Sequence, residues 1–127
     1  MANLLEQAQA TLMSSMLTHA GTAVTYRRGG VSVVLDAVKG KSDIEIAGTD
    51  GGQTLVQSID WIVKPEDLVL DGSQVTPERG DIVELTAGGK VVQHSVLSIP
   101  GEPGWRYTDP YRKGLRIHTK VVSEAPA

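Results

Sequence analysis

The sequence has no cysteine and no phenylalanine, and only two tryptophans and three tyrosines among its 127 residues. Without cysteine there are no disulfides, no thiolate nucleophile and almost none of the ligand sets that hold zinc. With so few aromatics, the core has to be assembled mainly from Val, Ile, Leu, Ala and Met. No apolar run approaches the roughly 20 residues needed to cross a bilayer. The opening "MANLLEQAQATLM" also lacks the basic start and continuous apolar centre of a signal peptide. The expectation is a soluble protein, away from any membrane, that is kept or packaged inside the cell that makes it. A hydrophobic content of 40% and a charged content of 21% are globular values, and the length suits a single domain over 1–127.

Sequence signatures of catalysis are equally scarce. No serine stands in a GxSxG elbow and no glycine run opens a helix as a phosphate loop must. His19, His94 and His118 fall in different elements with no HxxxH or HExxH spacing, so they are expected to be ordinary surface or half-buried side chains. Carboxylates are plentiful but unarranged. The expectation is a protein that is not an enzyme and has no metal, cofactor or catalytic residue.

What is present is pattern. From Asn3 to Leu17 the apolar residues Leu4, Leu5, Ala8, Leu12, Met13, Met16 and Leu17 recur at three- and four-residue spacings. This predicts an amphipathic helix over 3–18, capped by Asn3 and closed near Gly21. After Gly21 the period changes to two. Val24 and Tyr26 share a face, Gly29-Gly30 makes a hairpin turn, and Val31, Val33, Leu35 and Ala37 alternate with Ser32, Val34 and Asp36. Leu55, Ile59, Trp61 and Val63 share another face, opposite Ser58, Asp60 and Lys64, which places Trp61 in the core. Pro65 followed by Glu66 and Asp67 suggests one helical turn, "TPERGD" a loop, and Ile82–Thr86 with Lys90–Ile99 a second hairpin. The last strand is expected from Leu115 to Val121. Six to eight short strands over 22–122, one N-terminal helix and a polar tail over 123–127 predict a mainly β protein, a small β-barrel or β-sandwich.

Charge is segregated along the chain. Net charge is −3 overall, yet residues 65–104 hold seven acidic and two basic groups, and residues 105–127 hold five basic and two acidic. Within the basic part, "GWRYTDPYRKGLRIHTK" also concentrates three of the five aromatics: Trp105, Tyr107 and Tyr111. Aromatics among arginines can stack bases and neutralise phosphates, so a single-strand nucleic-acid-binding barrel using Trp105, Tyr107 and Arg112 is one reading. An acidic chain argues against it. The favoured reading has Trp105 to Pro110 as core plug and turn, with Trp105 filling one end of the core and Asp109 in the turn. Leu115, Ile117, Thr119 and Val121 form an apolar strand face. Arg116, His118 and Lys120 on the opposite face, with Arg106, Tyr111 and Arg112 beside them, are expected to meet water or a protein partner.

Several segments together resemble the small head–tail joining proteins of tailed phages and prophages, the lambda-type head-completion family. They are the leading "MANLLEQAQATL", "VTYRRGGVSVVLDAV", "IDWIVKPEDLVLDG", "VTPERGDIVEL" and, most specifically, "EPGWRYTDPYRKGLRIHTK". The resemblance implies a structural virion protein of the neck, assembled in the bacterial host cytoplasm. It implies a homo-oligomeric ring, usually a hexamer, between a portal-side adaptor protein and the tail-terminator protein, with DNA passing through without sequence-specific binding. A tail-terminator or tail-tube-like ring is the alternative within the virion. It further implies segments that become ordered on assembly, here matched by the N-terminal helix and by the loop of Ala47, Gly48, Asp50, Gly51 and Gly52. No catalytic residue carries over.

Overall fold

The computed structural model describes residues 3–47, 52–99 and 101–126. The helix α1 (Leu4–Ala20) starts where Asn3 accepts a hydrogen bond from the Glu6 amide at 2.7 Å, which satisfies one of the free donors of the first turn. It ends where the Gly21 amide donates to Leu17.

Nine strands follow among the described residues, each bounded by the turn chemistry of its neighbours. Strands β1 (Thr22–Arg28) and β2 (Val31–Ala47) are joined through Gly29, whose φ of 58° is left-handed backbone that suits glycine. The long β2 changes partner along its length. Its first half pairs with β1, and from Val38 onward it pairs with β3 (Gln53–Val63). A 3₁₀ turn at Pro65–Asp67 leads to the two-residue strands β4 (Val69–Leu70) and β5 (Ser73–Gln74). A second hairpin, β6 (Ile82–Ala87) and β7 (Lys90–Val96), turns at Gly88-Gly89. The short β8 (Trp105–Tyr107) and the long β9 (Leu115–Pro126) complete the chain.

The main sheet runs β3-β2-β1-β6-β7-β9-β8, entirely antiparallel, and β9 also pairs with β3. That extra pairing makes the sheet ring-like, of the small barrel or sandwich kind expected from the strand spacing. Its interior holds Val24, Tyr26, Leu35, Trp61, Val63, Val83, Val96, Leu115 and Ile117, while Leu68 and Leu70 from the turn segment join the same core. Alternation explains the selection, since every second residue of β1, β3 and β9 faces inward.

Two features depart from the sequence expectation. The last strand continues five residues past Val121, because 120–126 find a ladder along β7; the segment 123–126 is therefore paired strand. In addition, the face of β3 opposite Trp61 is not a water-facing one. Ser58 and Asp60 are fully buried, and so are His94 and His118 within a few per cent. Past the Ile59–Thr119 pair, β3 and β9 separate, and each continues as part of an arm with only one neighbouring strand.

Candidate functional site

The aromatic and basic segment is organised by its own backbone. The Asp109 carboxylate accepts from the amides of Tyr111, Lys113 and Gly114 at 2.9–3.1 Å, wrapping the "DPYRKG" turn around one side chain. The turn forces Arg112 into left-handed backbone at φ 60°. Its guanidinium lies 5.2 Å from the centre of the Tyr107 ring, and Trp105 meets the same ring edge-on at 5.2 Å. These aromatics are thus engaged with one another and with Arg112, not splayed to receive bases. Trp105 is half-buried against the core and Trp61 is wholly buried.

The segment is tied to the rest of the fold at both ends. Gly104 is buried, and its carbonyl accepts from the His118 amide at 2.8 Å. A Cβ at Gly104 would collide with the Leu97 carbonyl, so this close approach requires glycine. Lys113 forms a 3.1 Å ion pair with Glu6 of α1.

Of the side chains expected on the basic face, the structure separates two groups. Arg106, Arg112 and Lys120 are exposed, and Tyr111 is half-buried. Arg116 and His118 are instead drawn onto Asp60, whose carboxylate sits directly across the ladder from His118. The Arg116 Nη1 donates to Asp60 Oδ2 at 2.7 Å and the His118 Nδ1 donates to Oδ1 at 2.8 Å. Ser42 and Ser58 add their hydroxyls to the same carboxylate. Burial alone would raise the Asp60 pKa. The hydrogen bonds from His118, Ser42, Ser58 and Arg116 outweigh it and hold the carboxyl far below the ordinary range. One carboxylate thereby clasps β2, β3 and β9 at the point where the arms begin.

A Ser, a His and an Asp in contact invite a catalytic comparison, and the geometry answers it. Both serines donate to the carboxylate, whereas a nucleophile must donate to the imidazole. Nor do the described residues contain a group of three or more His, Cys, Asp or Glu placed to hold a metal.

A second buried carboxylate explains "TPERGD". Asp81 accepts from the Tyr26 hydroxyl, from the Arg28 Nη2 at 2.8 Å and from the Glu78 amide at 2.9 Å, while Arg28 also reaches the Thr76 carbonyl at 2.7 Å. Burial, then the bond to Asp81, pushes the Tyr26 hydroxyl pKa well above its ordinary value. His94 donates to the Val83 carbonyl at 3.1 Å and packs edge-on to Trp61. Burial pushes its pKa down, against that hydrogen bond.

Asp60 and Asp81 are the two residues that sequence reasoning passed over. The signal for Asp60 was a polar face on "QSIDW" matched by a basic one on "RIHTK", which only the β3–β9 pairing brings together.

The expected assembly loop falls largely outside this description: Gly48, Asp50 and Gly51 lie outside the described residues, Ala47 ends β2 and Gly52 precedes β3. No helix among the described residues is long and apolar enough to cross a membrane.

No curated protein matches the chain. The family described as phage head-tail joining protein matches residues 2–126, all but the two terminal residues. With nearly its whole length covered by that match, the chain belongs to the phage head–tail joining family.

Proposed function

We propose that this structural protein of the phage head–tail junction forms a ring, a hexamer, in the neck of the virion. The ring completes the DNA-filled head and provides the surface on which the tail docks. Its partners are further copies of itself, a portal-side adaptor and the tail-terminator protein, and DNA passes through it without sequence-specific contacts. The observation that carries this reading is the family match over residues 2–126.

The charge distribution supplies a ring contact. Glu66, Asp67, Asp71, Glu78 and Glu102 are exposed in the acidic part of the chain, and Arg106, Arg112 and Lys120 in the basic part. An acidic surface on one copy meeting a basic surface on the next is a heterologous contact, and such contacts close into rings when the rotation per subunit is right. Arg116 and Lys113 do not belong to this surface in the same way, because each already holds an internal carboxylate. Arg112→Glu combined with Lys120→Glu is expected to abolish joining of heads to tails. Thermal stability should stay within about 0.5 kcal/mol, as is usual for exposed sites. Normal joining by the double variant would refute the contact.

Tail termination is the competing role within the virion. Finding the protein on purified heads supports the head-completing role, and finding it only on purified tails supports the other.

A further inference from the structure

Helix α1 presents an outer face unlike an ordinary solvated helix surface. Leu4, Leu5 and Leu12 are 80%, 66% and 55% exposed, and Ala8, Thr11 and Ser15 lie between them. Only Met13 of this helix is buried. The sole acidic side chain, Glu6, turns toward Lys113 on the inner side, and the helix has no lysine or arginine. The outward face thus carries no acidic or basic side chain over four turns, although a helix meant for water usually sets charges there. Leu5, Ala8, Leu12 and Ser15 follow the alternating three- and four-residue spacing of a packing seam.

The chain carries a second unpartnered apolar surface elsewhere. Where β3 and β9 separate, Leu55 is 63% exposed and Val121 and Val122 are 42% and 49% exposed. These strands have one neighbour each at that point, so backbone edges lie beside the apolar side chains.

We infer that the outer face of α1 docks onto the β3–β9 fork of a second copy of this chain. The chain has a net charge of −3, so like copies repel over most of their surface. The uncharged helix face is a place where one copy approaches another without that penalty. The two apolar surfaces differ from each other, as a head-to-tail repeat requires and a two-fold dimer does not. The contact is also small. A 17-residue helix is about 25 Å long, and a face about 10 Å wide then covers about 250 Å². A stable interface needs about 800 Å² per partner. The helix contact therefore acts together with the charged contact of the ring, and it rests on the ring reading given above.

The absence of cysteine makes the test clean. In assembled particles, a Leu12→Cys/Val121→Cys double variant should cross-link on oxidation into a ladder of multimers ending at the closed ring. Mixed single variants should give only the Leu12–Val121 dimer. Both positions are exposed, so neither substitution disturbs packing. A Glu78→Cys/Arg112→Cys variant probes the charged contact in parallel. If that pair cross-links and the helix–fork pair does not, the ring stands and this inference falls. A Leu12 homodisulfide alone would also overturn it, by showing a symmetric contact. If neither pair cross-links, the ring reading fails and this inference fails with it.

Discussion

Replacing Asp60 with alanine removes the single acceptor shared by β2, β3 and β9. The Asp60 side chain has no exposure and that of Arg116 has 23%, so in the variant a mostly buried guanidinium and a buried imidazole lose their counter-charge. Two serine hydroxyls lose their acceptor as well. Breaking one side of a buried ion pair costs about 3–5 kcal/mol, because the remaining charge is left desolvated and unpaired. For a chain of this length the unfolding entropy is about 270 cal/mol/K, from about 2.1 cal/mol/K per residue. The corresponding fall in Tm is about 11–19 °C. Thermal unfolding followed by circular dichroism measures it. A double-mutant cycle with Arg116→Ala should then return a coupling on the order of 1–3 kcal/mol, since the pair shares one network. A fall of less than about 4 °C, or additive single effects, would mean that water replaces Asp60 at little cost and that the clasp is not what holds the three strands.

Two further perturbations have worked signs. Tyr26→Phe removes the hydroxyl donor to Asp81 while Arg28 and the Glu78 amide remain, so a loss of about 1–2 kcal/mol is expected by chemical denaturation; an unchanged midpoint would contradict the buried bond. In acid, two groups act in sequence. His94 has a lowered folded pKa, so the unfolded chain binds the proton first and stability starts to fall below about pH 6.5. Asp60 also has a lowered folded pKa, so its contribution is complete above about pH 4 and is lost as pH falls further toward that depressed value. His94→Gln should remove the first loss and leave the second; a stability profile flat from pH 7 to pH 3 would refute both.

Local features were legible in the sequence because their causes are local. The Asn3 cap, the Gly29-Gly30 and Gly88-Gly89 turns, and the inward alternation of Val24 and Tyr26 or Trp61 and Val63 all depend on neighbours within a few residues. Features that depend on long-range pairing were not. Asp60 alternates with Trp61 and looks like a solvent-facing residue until β9 brings His118 opposite, 58 positions away. The same pairing withdraws Arg116 and His118 from the basic face on which simple alternation places them. The stretch after Val121 has weak strand composition, with Ala and Pro near its end, and becomes a strand because β7 offers an unpaired edge. Tyr26, Arg28 and Asp81 are similarly spread over more than fifty residues, so the "TPERGD" loop shows its turn in sequence but not its buried carboxylate.

The most direct test of a ring-forming neck protein is a structure of the intact head–tail junction. The expected result is a closed ring of this chain around the DNA channel, between the portal-side components and the tail. Density placing the chain outside the neck, or showing it as isolated single copies, would contradict the account.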